Sequence, residues 1–210
     1  MPFSEYRNIE DVIGKYPLEI TSAPFLKDIE IPLPDLFLEN LNFALTRKTA
    51  QDNEFFLTEN FIYPFLQLVW KRHEKLRLWS HHLLRYDDDL SGEPDYFLSY
   101  WPGGVIRSLI SLPMLAVVEA KKQDFDKGWG QCLAGMLACQ KINNNENLTV
   151  YGIVSTGILW EFGKLKNSQF TWNTISYSLS NPRVLAGILD ELFHRCENKG
   201  IEEYRRELPT

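Results

Sequence analysis

Residues 114–122 read Met-Leu-Ala-Val-Val-Glu-Ala-Lys-Lys. An apolar run of this length predicts a strand over Met114 to Ala120, covered on both faces and therefore central in a sheet. At its polar end, Glu119 and Lys121 are two residues apart, so on a strand they project from the same face. An acid and a base there are costly unless they find partners.

The nearest partner upstream lies in Gly92-Glu93-Pro94-Asp95, directly before a second predicted strand, Tyr96 to Tyr100. Asp95 precedes Glu119 by 24 positions, enough for a strand, a turn and a return on the neighbouring strand. Two carboxylates meeting there, with a backbone carbonyl between them, form an oxygen-rich site suited to Mg²⁺ or Mn²⁺. A cation so held lowers the pKa of bound water and offsets charge developing on a phosphate. Lys121 would orient that water or neutralise the phosphate. An E-x-K triplet alone is commonly a surface ion pair, and Pro-Asp an ordinary turn. The combination, in this order and behind an apolar strand, points to a site.

Working outward, Trp129, Cys132, Leu133, Met136 and Leu137 form an i, i+3, i+4, i+7, i+8 stripe, predicting a helix from about Lys127 to Lys141. Its other side carries Gly128, Gln131, Ala134, Gly135 and Ala138, so it can be approached closely on both sides. Leu148 to Thr156 and Ile158 to Leu165 read as strands joined at Gly157, with a further strand over Phe170 to Leu179. Pro182 opens a final helix to about Lys199, ended by Gly200. Upstream, a helix is predicted over Asp35 to Thr49. A second helical region, Asn53 to Glu74, carries Phe55, Ile62, Leu66 and Val69 on one stripe and is interrupted at Pro64. Leu76 to Tyr86 is bounded like a strand. The first 34 residues hold five prolines, which excludes long regular structure there and suggests an arm lying on the domain. The class is α/β (α+β), a mixed central sheet flanked by helices. Residues 1–52 form the arm and its helix, 53–165 the core, and 166–210 an extension of the same domain.

The string L-S-G-E-P-D-Y-F, then A-V-V-E-A-K-K, then G-W-G-Q-C-L-A-G-M resembles the PD-(D/E)XK restriction-endonuclease-like superfamily. It is similar in particular to stand-alone bacterial members and to the amino-terminal nuclease domains of type I restriction subunits. The resemblance covers roughly Asn53 to Leu165 and implies an αβββαβ core and cleavage of DNA, with RNA left open as the alternative. It assigns the motif aspartate to Asp95, the second carboxylate to Glu119, the lysine to Lys121 and a metal-facing carbonyl to Ala120. Gln131 matches the glutamine often found downstream. Relatives also carry an acid on the first core helix, for which Glu54 and Glu59 are candidates. Periodicity favours Glu59, four residues after Phe55 and in step with its stripe. Two departures stand out. No tyrosine follows Gln131 closely, and no Walker-type G-x-x-x-x-G-K-[ST] segment is present, so the chain is not a complete translocating subunit.

The net charge of −6 argues against a surface coated for nucleic acid, without excluding a local basic groove. The most basic stretch, Lys71 to Arg85, offers a ridge of backbone-contacting cations beside the site, or else a solvated helix end. His81 and His82 are weak candidates as metal ligands, since neighbours on a strand face opposite ways. Asp87-Asp88-Asp89 lacks the EF-hand pattern and reads as a solvated turn. Most of the six tryptophans read as core or interface anchors. Cys132, Cys139 and Cys196 read as buried thiols of a reducing, cytoplasmic compartment, and no apolar run of about 18 residues suggests a membrane span. Relatives that cut both strands often dimerise, so a homodimer is an open expectation. The competing function class is a nuclease-fold binding or assembly module with weak or no catalysis.

Overall fold

The computed structural model describes residues 2–103 and 110–206. In chain order the elements are α1 (Ile9–Ile13), β1 (Glu19–Ser22), α2 (Asp35–Arg47), α3 (Glu54–Leu57), α4 (Tyr63–Trp70), β2 (Leu76–Ser80), β3 (Leu84–Arg85) and β4 (Ser91–Gly92). Then follow β5 (Tyr96–Tyr100), β6 (Ser111–Ala120), α5 (Phe125–Asn143), β7 (Val150–Ser155), β8 (Leu159–Lys166), β9 (Gln169–Trp172), β10 (Tyr177–Ser178), α6 (Pro182–Arg195) and α7 (Ile201–Arg206).

The main sheet runs β1-β9-β8-β7-β6-β5-β2, with β10 pairing β8. β2, β5 and β6 form an antiparallel meander, and β6 then pairs parallel with β7. A parallel neighbour needs a crossover, which α5 provides. Helix, three strands, helix and parallel strand follow one another as expected, giving a mixed sheet with helices on both faces.

β6 is central because both of its faces are covered. Ala116 and Val118 pack beneath α4 and α6 with Phe65, Leu66 and Leu189. Val117 packs beneath α5 with Trp129, Leu133 and Met136. Leu115, Val117 and Val118 are fully buried, each contributing roughly 1.5–3 kcal/mol. α5 starts where the Asp124 side chain accepts from the Lys127 N–H at 2.9 Å. Its small face allows close contact: a Cβ at Gly128 would lie 2.5 Å from Val154, and one at Gly130 2.7 Å from the Asn8 backbone. α1 therefore packs directly on α5.

Several expected elements differ. The strand expected over Leu76 to Tyr86 stops at Ser80, because His81 takes a positive φ of 47° and turns the chain. The segment Phe170 to Leu179 divides into β9 and β10. The final helix is not ended by Gly200: it passes through a single i→i+5 turn, Cys196–Gly200, into α7. Gly200 is small for a packing reason, since a Cβ there would lie 2.6 Å from Leu115. The arm contributes more than a covering, because β1 pairs parallel with β9 and extends the sheet. Asp89 is not a freely solvated turn residue either. Its carboxylate accepts from the Tyr6 hydroxyl at 2.9 Å, the Tyr16 hydroxyl at 2.6 Å and Lys15 Nζ at 2.7 Å, tying the arm to the β3–β4 hairpin.

The basic stretch is also largely engaged. Arg72 pairs with Asp190 at 2.8 Å, and buried His73 lies 3.1 Å from both Asp190 and Glu197. The Arg77 guanidinium sits 5.2–5.7 Å from the rings of Trp79, Trp70 and Trp101. Arg72 and His73 fasten the end of α4 to the α6 side and Arg77 sits among tryptophans at the sheet edge, while Lys71 and Lys75 of the same stretch stay exposed. All three cysteines are buried, and burial pushes their thiols above the ordinary range. Among the described residues no helix is long and apolar enough to cross a membrane.

Candidate active site

Strand register brings the two carboxylates together. Tyr96 pairs with Val118 and Phe97 with Val117, so Asp95, one residue before β5, comes beside Glu119 near the end of β6. Both acids share the sheet face of Val117 and Phe97, the side covered by α5. The Asp95 carboxylate accepts from the Ala120 N–H at 2.8 Å, which locks one acid to the strand carrying the other. Lys121, two residues beyond Glu119, stays on that face beneath the first turn of α5. There a Cβ on Gly128 would approach its Cγ to 3.1 Å.

The Lys121 ammonium lies where three oxygens converge. It is 2.8 Å from the Ala120 carbonyl, 3.3 Å from Glu119 Oε2 and 3.9 Å from Asp95 Oδ2. A cavity of about 160 Å³ opens beside the cluster, lined by Asp95, Glu119, Lys121 and Gln131, with Glu93 and the arm residues Phe3 and Ser4. Glu119 is only 5% exposed. Burial drives its carboxyl up to about 8; the Lys121 charge opposes this, and the Asp95 carboxylate adds to it. Burial alone would lower the Lys121 pKa, but Glu119, Asp95 and Glu54 outweigh it and hold the ammonium protonated.

The acid on the first helix is placed differently from expectation. Glu59 is exposed, and so is Phe55, whose stripe it was expected to follow. The reason is a single i→i+5 turn over Thr58–Ile62. It is wider than an α-turn, so the face buried by Ile62, Leu66 and Val69 is out of phase with Phe55. Glu59 lines a separate groove against α2. Glu54, half-buried at the start of α3, is the acid whose charge reaches Lys121.

His81 also reaches the cluster. Ser80 pairs with Tyr96, so the next residue out lies opposite Asp95. The His81 N–H donates to the Asp95 carbonyl at 3.0 Å, and its Nε2 lies 3.4 Å from Asp95 Oδ1. Its alternation within a presumed strand suggested nothing of this, because the chain turns at that residue. The arm residues at the cavity had no local signal at all.

The donor set fits a hard cation. Two carboxylates and a carbonyl converge on one point, and that point already holds a positive ammonium. Mg²⁺ is ordinarily held by one or two carboxylates and keeps several waters. Among the described residues no group of three or more His, Cys, Asp or Glu side chains is arranged for a metal.

No family model and no curated protein matches the chain. Among solved structures, a chain described as "cryoEM structure DrdV-DNA complex" matches at 16% identity with a TM-score of 0.49. The match covers 81% of this chain and 14% of that one, so the chain spans a small part of that protein's length.

Proposed function

We propose that this chain is a divalent-cation-dependent phosphodiesterase that hydrolyses DNA. The observation carrying this reading is the convergence of Asp95, Glu119 and the Ala120 carbonyl on Lys121 Nζ beside a polar cavity. Asp95, Glu119 and Ala120 are the groups that would hold Mg²⁺ or Mn²⁺. When bound, such a cation supplies a lowered pKa for water and neutralises charge on the phosphate. Lys121 gives up its contacts with the three oxygens and turns its ammonium to the attacked phosphate, where charge develops. Gln131 orients groups entering the cavity from the α5 side. His81 and the Ala120 N–H fix the Asp95 carboxylate, keeping it aimed at the site. Glu54 completes the acidic surroundings that keep Lys121 charged.

A second reading has its own observation. The cavity is small, the arm's Phe3 and Ser4 form part of its wall, and the Lys121 ammonium already neutralises the two carboxylates. A binding or assembly module that retains the fold without turnover would look the same. The two readings separate in one experiment. Supercoiled, linear, single-stranded and branched DNA, and RNA, are incubated with the protein and Mg²⁺ or Mn²⁺, with calorimetry of each ion alongside. Hydrolysis is expected for wild type and is lost in Asp95→Asn and Glu119→Gln. Lys121→Ala binds the ion yet loses most activity. Ion binding without cleavage of any substrate selects the second reading, and no binding at millimolar ion removes the catalytic one.

A further inference from the structure

The far end of the sheet carries a second polar recess, remote from the carboxylates. The catalytic cluster adjoins the Ser155 end of β7. The recess adjoins its start, roughly 17 Å away along β7 from Val150 to Ser155. Alternation along β8 and β9 sends Leu165 and Phe170 into the α5 core. The intervening side chains, Lys164, Lys166, Gln169 and Thr171, face the other way. Register aligns them across the sheet: Tyr151 pairs with Lys164, Lys164 with Thr171, and Lys166 with Gln169. Over most of this face α6 covers the strands, but here only its last residue, Arg195, reaches over. The resulting recess is about 590 Å³.

Two of its three cations have no carboxylate partner among the described residues. Lys164 and Lys166, two apart on one strand, share a face, and neither makes an ion pair among the described residues. Arg195 is held by Glu191 at 2.8 Å and donates to the Phe25 carbonyl at 3.0 Å, which fixes its guanidinium over the recess. Half-buried Lys164, its ammonium 4.9 Å from the Phe25 ring, has its pKa lowered by burial and then by Arg195 and Lys166. Glu19 on the rim is the sole carboxylate among the lining residues. Two ammonium groups on one strand face repel each other, and an anion between them offsets that repulsion. Hydroxyl and amide donors from Tyr151, Thr171 and Gln169 surround the cations, a set suited to a tetrahedral oxyanion.

We propose that this recess is a phosphate-binding site, formed by Lys164, Lys166 and Arg195 and independent of the catalytic cluster. The phosphoryl group comes from a nucleotide or from a nucleic-acid backbone, and both fit the recess volume.

The test uses the full chain in EDTA, so that hydrolysis plays no part. Amide NMR follows titration with inorganic phosphate, adenosine monophosphate and a short single- or double-stranded DNA. Wild type should show saturable shifts centred on residues 164–171 and Arg195. The Lys164→Gln/Lys166→Gln double variant should bind at least about tenfold more weakly, as loss of charge-assisted contacts implies. Lys166→Gln alone, at an exposed position, keeps the test valid should the double variant misfold. DNA that binds tighter than free phosphate, with a salt slope reduced by about 0.9 per lost contact, identifies the backbone as the source. Binding of phosphate and nucleotide without enhancement by DNA identifies the small anion. Shifts absent from this face, or undiminished in the variants, overturn the site.

Discussion

Replacing Glu119 by Gln tests whether burial governs the Asp95–Glu119–Lys121 cluster. In the folded chain the Glu119 carboxyl is pushed up to about 8 from an ordinary 4.5, with burial the leading cause. The folded state therefore holds this proton over a span in which the unfolded chain releases it. A group whose folded pKa is raised contributes stability that is fully present below its unfolded pKa and is lost as pH rises through its folded pKa. The span is roughly 3.5 pH units at about 1.4 kcal/mol each, so wild type should lose on the order of 5 kcal/mol between about pH 4.5 and 8. About 3 kcal/mol of that is already lost at pH 7. Gln is close in shape and cannot ionise, so Glu119→Gln lacks this loss. Denaturant unfolding of both proteins in EDTA, from pH 5 to 9, reads the difference directly, and other titrating groups cancel to first order. The variant should gain several kcal/mol on wild type as pH rises, then level off above about 8. A difference constant within about 1 kcal/mol across that range would refute the argument. It would mean that Lys121 fully compensates the buried carboxylate.

Gly128→Ala should destabilise the protein by about 1–3 kcal/mol, although alanine in a helix ordinarily gains about 1 kcal/mol over glycine. The added Cβ would meet Val154 at 2.5 Å and crowd Lys121, and denaturant unfolding reveals the sign. Asp89→Asn should free the arm at a cost of about 2 kcal/mol, seen as faster hydrogen exchange over residues 3–16. Hydrogen bonds from Lys15 and Tyr16 hold the Asp89 carboxyl well below its usual range. The wild-type anchor should therefore be fully present above about pH 4 and weaken as pH falls through the folded pKa, and Asp89→Asn should lack that dependence.

Much of the fold was legible in local pattern. The apolar run before Glu119 announced a central strand, and the Trp129–Leu137 stripe announced the helix that crosses over it. The order of Asp95, Glu119 and Lys121 marked one end of the sheet, because period-two alternation sends Glu119 and Lys121 to one face whatever lies elsewhere. What tertiary structure decided were phase and register. One i→i+5 turn at Thr58–Ile62 turned Glu59 outward and left Glu54 as the acid acting on Lys121, a shift that a fixed 3.6-residue period cannot express. The turn at His81 set that ring beside Asp95, and β1 joined the sheet edge by pairing with a strand 150 residues away in sequence. Nothing near Lys164 in the chain announced Arg195 or Tyr151. Their meeting depends on strand pairing and on where α6 ends, which long-range packing sets and local side-chain pattern does not record.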